Sequence, residues 1–502
     1  MTQVMGVRSE RDGLESQLVL GADMSVIGIV GTAPGFNDTL LSLNTATLIR
    51  TNDTALRAAL GTTGTIPDAL TAISAQLIAA AAKCVVVIVD DDDDPDVVIS
   101  NIIGSESAKT GMWALLDAPD DLGVTPRLII TPGYTSQTDN QVASVAVTNM
   151  GSGYTSAPTV VASGGGSDPD KVMPTFTAVL GTGGNAQKVV SVTINTHGSH
   201  LDGTPVTISF TGGSGTGAAA TVTLEVVANA VCAAIPTVLS RLKAKFLPEG
   251  PISSDSTWQT WAETLPQDMN IIHPLRQVAR IADEDGDLIS KPLSPYIIGL
   301  YARRDSEFDG VPGHSVANQS VNGLVGVSPR IKLDIGSDTS QGMQLIEKHA
   351  GIVVRGENGS DGSLTDGGFT FWGTDTMAAD TQWMFSNVVR MRDYIEINLT
   401  KAVKFYLGRF NVTEQTVQAI VNTMDSYLSQ LRADRDILDF RITFDEDQNS
   451  PEELRLGFIT IAFQAEEPAP LRKITMKSRR YRDAYTDLVQ AISETLGNLQ
   501  SA

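Results

Sequence analysis

From about Ser136 to Val227 the chain changes character: Gly, Ser, Thr and Val dominate, and charged residues become scarce after Asp139. A stretch of that composition cannot supply the amphipathic helices of a layered core, so it has to form a module of its own, set into whatever the flanking sequence builds. Within it an offset of 47 relates Val142-Ala143-Ser144-Val145 to Val189-Val190-Ser191-Val192, Gly151 to Gly198 and Pro158 to Pro205. The two copies, SVAVTNMGSGYTSAPTVV and SVTINTHGSHLDGTPVTI, each read as an alternating strand, a glycine turn and a second strand. Two related β-hairpin units over 137–227 are expected.

On either side, strand-like and helix-like segments alternate, the pattern of an open α/β sheet with crossover helices. Strands are expected at Ser25 to Val30, Thr45 to Arg50, Val85 to Val89, Arg127 to Thr131 and Met269 to Ile272. Helices are expected at Ile66 to Ala82, Val97 to Ile103, Ala228 to Leu247 and Pro295 to Arg304. From about Gly373 the pattern becomes α+β: helices over Asp380 to Val403 and Thr413 to Leu431, then strands Ile437 to Phe444 and Arg455 to Phe463. The tail runs extended after Pro470 and ends in a helix-like stretch, Tyr481 to Leu499. Residues 1 to about 22 lack helical period and apolar content and read as an extended arm. The domain reading is an N-terminal arm (1–24), an α/β middle domain (25–136 and 228–372) carrying the inserted module, a C-terminal α+β domain (373–470), and a C-terminal arm and helix (471–502).

A chain of 502 residues exceeds what one hydrophobic core supports. With 36 basic against 58 acidic residues its net charge is -22, which repels phosphate backbones and anionic lipid, so neither nucleic acid nor membrane insertion is expected. The start MTQVMGVRSERDG has no apolar run of the signal-peptide kind, and a soluble compartment is expected. Cys84 and Cys232 lie outside any CxxC spacing; they read as buried thiols, with a disulfide within or between subunits as the alternative.

Catalytic patterns are mostly missing. GIVGTAPG at Gly28 to Gly35 lacks the GxGxxG spacing, no GxxxxGK[ST] occurs, and Gly61-Thr62-Thr63-Gly64 has no cation close behind it. His197, His200, His273, His314 and His349 are scattered without HExxH-like spacing, and no GxSxG elbow is present. The run Asp90 to Asp94, with Asp96, reads as a solvated acidic loop capping the next helix, with a divalent-cation site as the alternative. Asp283 to Asp287 and Asp445 to Asn449 lack the glycine and glutamate positions of a calcium loop and read as turns. No catalytic residue, cofactor or metal is expected.

The run SPYIIGLYARRDSEFDGVPGHSVANQSVNGLVGV from Ser294 resembles the central signature of contractile tail sheath proteins, at Ala302, Arg303, Asp305, Gly310, Ala317, Asn318, Gly323 and Val325. The likeness continues through Ile352-Val353-Val354 and Phe371-Trp372-Gly373-Thr374-Asp375-Thr376, where sheaths usually carry Trp-Gly-x-Arg-Thr and this chain has Asp375. FSNVVRMRDYIEI (385–397), Asn449-Ser450-Pro451-Glu452, Glu467-Pro468-Ala469-Pro470 and the opening GVRSERDG also resemble the family.

The resemblance implies a Rossmann-like middle domain and a C-terminal α+β sheath domain with extended arms. It further implies a non-enzymatic subunit that polymerises as stacked hexameric rings around a tail tube and contracts to drive the tube through the host envelope. The partners it implies are further copies of the chain, the tail tube protein, and baseplate and tail terminator proteins; the place is the virion, assembled in the host bacterial cytoplasm. Neighbouring subunits of such sheaths exchange arms that add strands to the C-terminal sheet, and the candidates here are Val4, Val7, Leu18 and Val19 with Leu471, Ile474 and Met476. Residues 374–502 hold 15 basic and 19 acidic side chains, net -4, leaving 21 against 39, net -18, for residues 1–373. Arg472, Lys473, Arg479 and Arg480 in that less acidic part are expected to meet the tube or a neighbour. A sheath of a bacteriocin or secretion apparatus shares this pattern. An α/β nucleotide-dependent enzyme and a receptor-binding protein are the readings from other classes.

Overall fold

Strand β1 (Ile27–Thr32) is buried along its whole length, as IGIVGT must be when both faces of a sheet are covered. It belongs to a computed structural model that describes residues 21–77, 80–169, 171–283, 285–356 and 368–500. In chain order there follow β2 (Thr47–Arg50), α1 (Thr54–Ala59), α2 (Thr65–Gln76), β3 (Lys83–Val89), α3 (Pro95–Ile103), α4 (Ala118–Leu122) and β4 (Leu128–Ile130). The module contributes β5 (Asp139–Ser152), β6 (Thr159–Gly164), β7 (Thr175–Leu180), β8 (Val189–Thr196), β9 (Val206–Thr211) and β10 (Thr216–Val227). Two short helices, α5 (Ala230–Ala234) and α6 (Pro236–Leu242), then lead to β11 (Lys245–Phe246) in the first sheet.

That sheet has the order β11-β4-β1-β3-β2, parallel except for β2, which runs antiparallel on the β3 edge. Alternate residues of β1, β3 and β4 feed two cores. Ile27, Ile29, Cys84, Val86, Leu128 and Ile130 pack with α2 residues in one, and Val30, Val85, Val87 and Ile129 pack with residues of α3, α5 and α6 in the other. Each fully buried Val, Ile or Leu stabilises the fold by roughly 1.5–3 kcal/mol. The glycine stretch that begins inside β1, at Gly31, serves this packing: a Cβ on Gly31 would fall 2.3 Å from Thr65 Oγ1, the oxygen that accepts the Thr32 amide at 3.1 Å. Its glycines let the start of α2 close onto the strand.

The body continues with α7 (Asp255–Thr264), β12 (Val278–Ala282), β13 (Leu288–Lys291), α8 (Ser294–Glu307), β14 (Gln319–Ser320), β15 (Gly326–Ser328), α9 (Gln341–Glu347), β16 (Ile352–Arg355) and β17 (Phe369–Trp372). Two antiparallel three-stranded sheets result, β13-β12-β15 and β14-β17-β16. Then come α10 (Ser386–Val403), α11 (Glu414–Ala433), β18 (Asp439–Thr443), α12 (Pro451–Arg455) and β19 (Ala462–Glu466). Thr413 caps α11 through its side chain, which accepts the Thr416 amide at 3.3 Å. The chain divides into two units at Pro468/Ala469; the second has no regular structure over 469–481 and then a single helix, α13 (Asp483–Gln500).

Several expectations are corrected. The two repeat copies are not hairpins: β5 pairs with β10, β7 with β8 and β6 with β9, so the copies interleave. The offset of 47 carries Thr159–Gly164 onto Val206–Thr211, and these two segments are each other's antiparallel partners. Tyr154 is why the first copy does not fold back on itself. Its buried ring lies where a Cβ on Gly215 would sit, 2.3 Å away, and its hydroxyl accepts the Ala218 amide, so the turn leads across the core. The helix expected over Ala228 to Leu247 breaks at Pro236 and ends at Leu242, and α2 stops at Gln76 rather than Ala82. Met269 to Ile272 makes only bridges, Phe246 to Ile271 and Ile272 to Thr376. The alternating run from Arg455 is a strand only over Ala462–Glu466, because Ser450 caps a helical turn through Arg455 and holds the chain out of the sheet. No disulfide forms within the chain: Cys84 and Cys232 are free, buried, and packed into separate cores, and burial pushes the Cys84 thiol up to about 12.

Candidate assembly interface

Two of the segments quoted for the sheath resemblance meet inside the molecule. Asp305 ends the ARRD run on α8, and Arg390 sits in the middle of α10; both are 1% exposed. Arg390 donates from Nη1 to Asp305 Oδ1 at 3.0 Å and from Nη2 to Oδ2 at 2.5 Å, a bidentate pair. Nη2 also donates to the Met24 carbonyl at 3.2 Å, and the guanidinium lies 4.8 Å from the centre of the Tyr301 ring. Burial pushes the Asp305 carboxyl up; against the same desolvation, the carboxylate beside it raises Arg390 above its ordinary value. Neither charge is tolerable there without the other.

A second buried pair lies beside it. Lys245 on β11 donates to Asp393 of α10 at 2.7 Å and to Asn270 at 2.5 Å, and burial lowers the lysine against the pull of Asp393. Arg392 clamps Glu467 through Nε at 2.7 Å and Nη2 at 2.9 Å, which fixes the start of the Glu467-Pro468 segment on α10. His273 completes the junction: its Nε2 lies 2.5 Å from the Tyr301 hydroxyl and 3.2 Å from Ser386 Oγ, and Tyr301 donates to Ser386 at 2.9 Å. A serine beside a histidine suggests a nucleophile, but His273 is fully buried and desolvation lowers it to about 4, so no substrate reaches it. Behind α8, Glu249 accepts the amides of Ser294 at 2.6 Å and Gly133 at 2.9 Å, a carboxyl seated at the helix start that burial pushes above its ordinary value. The helices carrying these groups are thereby locked to the five-stranded sheet.

Beyond the junction the chain is less finished. Strands β18 and β19 pair antiparallel from Asp439 opposite Glu466 to Thr443 opposite Ala462, and this sheet has no third strand among the described residues. Large apolar side chains stay exposed around it: Leu438 at 63%, Phe444 at 46%, Leu456 at 69% and Phe458 at 64%. Its connection is nonetheless built. Asn449 accepts the Thr460 amide at 2.8 Å and donates to the Thr460 and Asp445 carbonyls, the structural reason for the Asn449-Ser450-Pro451-Glu452 motif.

Of the expected site residues, Leu471, Ile474 and Met476 are 79%, 71% and 90% exposed and belong to no strand. Arg472, Lys473, Arg479 and Arg480 share that exposed stretch of the second unit. Val4, Val7, Leu18 and Val19 lie outside the described residues. Asp94 caps α3 by accepting the Asp96 amide at 2.9 Å, and the acidic run is exposed; among the described residues no three His, Cys, Asp or Glu side chains gather as a metal set. Sequence reasoning missed the buried ion pairs. The available signal was the pair of arginines inside the apolar stripe VVRMRDYI, where a core-facing stripe would ordinarily place none.

Residues 378–479 match the family described as the phage tail sheath C-terminal domain. The chain is 24% identical over 229 residues to a putative prophage major tail sheath protein of Pseudomonas aeruginosa strain UCBPP-PA14, covering 45% of this chain and 55% of that one. It is 23% identical over 196 residues to the tail sheath protein of Escherichia phage P2, covering 39% and 46%. The chain thus matches about half the length of these curated relatives. Among solved structures it is similar to the anti-feeding prophage helical sheath in its contracted state, with a TM-score of 0.55, 16% identity and 96% and 100% of the two chains covered. It is equally similar to the sheath complex of an extracellular contractile injection system, PVC, in the contracted state, with a TM-score of 0.55, 13% identity and 96% and 99% covered. The expected resemblance to contractile sheaths is borne out, and the fold is that of a sheath subunit.

Proposed function

We propose that this chain is a structural, non-enzymatic subunit of a contractile phage tail sheath. The observation that carries the reading is the sheath fold over 96% of the chain, joined to the tail-sheath C-terminal domain match at 378–479. Copies stack as six-fold rings around a tail tube, and repacking of the rings drives the tube through a bacterial envelope for genome ejection. The β1-centred sheet and its helices form the Rossmann-like middle domain, the interleaved module decorates it, and the segments before β1 and after Pro468 are exchange arms.

In this reading the exposed run Leu471–Met476 of one copy adds a strand to the open β18–β19 sheet of the next, with the N-terminal arm around Val4 to Leu20 doing likewise. A five-residue strand contributes about five backbone hydrogen bonds, each worth on the order of 1 kcal/mol net. Arg472, Lys473, Arg479 and Arg480 face the tube or the acidic surface of a neighbour, and baseplate and terminator proteins close the two ends. The particle is assembled in the bacterial cytoplasm and resides in the virion tail.

One of the two solved sheaths named above, PVC, belongs to an extracellular contractile injection system, which favours, as a second reading, a sheath that ejects no genome; tail or injection genes beside this one would separate the two. Negative-stain microscopy of concentrated protein, alone and with the tube protein, tests the common claim. Hollow striated tubes are expected, and a persistent monomer under both conditions rejects it.

A further inference from the structure

Helix α13 carries an apolar stripe that is open to water. Tyr485, Leu488, Val489, Ile492 and Leu496 recur at threes and fours, and each is between 49% and 69% exposed. Asp483, Asp487 and Glu494 occupy the opposite face, and Asp483 to Gln500 contains no lysine or arginine. An isolated helix of this length is marginal in water, so the stripe calls for a partner.

A matching surface lies in the loop after α10. Leu407 is 74% exposed, Phe410 40% and Val412 39%. The ridge is held from beneath: Phe405, Tyr406 and Phe410 pack edge-on or tilted with ring centres 5.4 to 5.8 Å apart, and the buried Tyr406 hydroxyl lies 3.0 Å from Thr423 Oγ1 on α11. Residues 401–412 include Lys401, Lys404 and Arg409 and no acid, the reverse of the helix. Since the helix acids face outward when the stripe is down, the charges act by steering within a Debye length rather than as ion pairs. The negative end of the helix dipole acts in the same sense.

We propose that α13 of one copy docks, stripe down, on the Leu407–Val412 ridge of a second copy. The inference rests on the sheath reading: once Leu471–Met476 pairs with a neighbour's C-terminal sheet, residues 477–482 form a tether of roughly 20 Å. That tether keeps the helix within about 20 Å of the paired strand on the same neighbour, at an effective concentration on the order of millimolar. Strand and helix together then make a two-point attachment, in which one contact persists while the other rearranges.

The test uses full-length chains with one new thiol each, since Cys84 and Cys232 are fully buried and do not compete. Ile492→Cys protein is polymerised with Leu407→Cys or Phe410→Cys protein and oxidised, and covalent dimers are measured on non-reducing gels. Because each chain has a single accessible thiol, a mixed dimer reports contact between copies. At least ten-fold more dimer is expected than for Gln490→Cys, on the far face of the helix, with the same partners. Polymers that form with equal yields for 490 and 492, or with no mixed dimer, overturn the docking and leave the sheath reading intact. Failure of the unsubstituted chain to polymerise overturns both.

Discussion

The Arg390–Asp305 pair should be worth far more to the chain than any surface ion pair, and a double-mutant cycle can show it. Removing one partner of a buried pair costs roughly 3–5 kcal/mol, because the remaining charge is left in a dry site. Arg390→Met should fall in the upper half of that range: it strands Asp305 and also removes the donor to the Met24 carbonyl and the cation over Tyr301. Asp305→Leu should cost roughly 3 kcal/mol or more by stranding the guanidinium. The double variant removes both charges, so its loss should not exceed that of either single change, which gives a coupling energy of about 4 kcal/mol or more. Hydrogen exchange of the α10 amides reads the local stability directly, and urea titration followed by tryptophan fluorescence reads the body. Additivity of the two single changes to within about 0.5 kcal/mol would refute the reasoning, as would a cost for Arg390→Met below about 1 kcal/mol.

Acid should loosen the same junction. His273 is held neutral, its folded value near 4 lying below the ordinary 6.5, so the unfolded chain takes up the proton first as pH falls. Its contribution is intact above about pH 6.5 and lost between there and pH 4, about 3 kcal/mol in all, and His273→Gln should flatten the stability–pH curve in that window. An unchanged slope would remove His273 as its cause. Replacing residues 137–227 with a short Gly-Ser linker should leave polymerisation intact, because Asp139 and Val227 are paired neighbours at the module's base; aggregated or unfolded protein would argue against a separable module. Ile474→Pro should abolish tubes in electron micrographs while leaving the melting temperature of the monomer unchanged, since the side chain is 71% exposed; normal tubes would exclude strand pairing at this position. Arg479→Glu with Arg480→Glu should slow polymerisation, measured by light scattering, and unchanged kinetics would discard their role at the tube or a neighbour.

What the sequence disclosed was whatever is decided locally. Buried strands such as β1 and β3 show as β-branched runs, α8 announces itself with Pro295, and Thr413 marks the start of α11 within one residue. The ordered string of sheath-like motifs carried more than any one of them. What stayed hidden was decided at long range. Strand partners in the module depend on where Tyr154 packs, and the repeat alone suggests the nearer, wrong partner. Asp305 and Arg390 are 85 residues apart and Lys245 and Asp393 are 148 apart, so each looks like an ordinary solvent-facing charge until the fold brings its partner to it. The late start of β19 had a local cause, the Asn449 clamp and the Ser450 cap, but reading it requires knowing that Asn449 bonds to Thr460 as well as to its own turn.

The contrast between these two regions bears on how such a subunit could move. Around α8 and α10 the contacts are buried and charged, and a shear of a few ångströms would part Arg390 from Asp305 without admitting water to either. The penalty rises steeply over that distance, so the junction is either closed or broken and has no soft intermediate. The β18–β19 sheet has the opposite property: among the described residues no third strand covers its edges, and backbone hydrogen bonds to an added segment tolerate twist. A lattice built on the proposed strand exchange therefore places its compliance between subunits and its stiffness within them. If contraction instead required α8 to slide on α10, hydrogen exchange in assembled material would show the α10 amides opening between the extended and contracted states. The buried pairs predict that those amides stay equally protected in both.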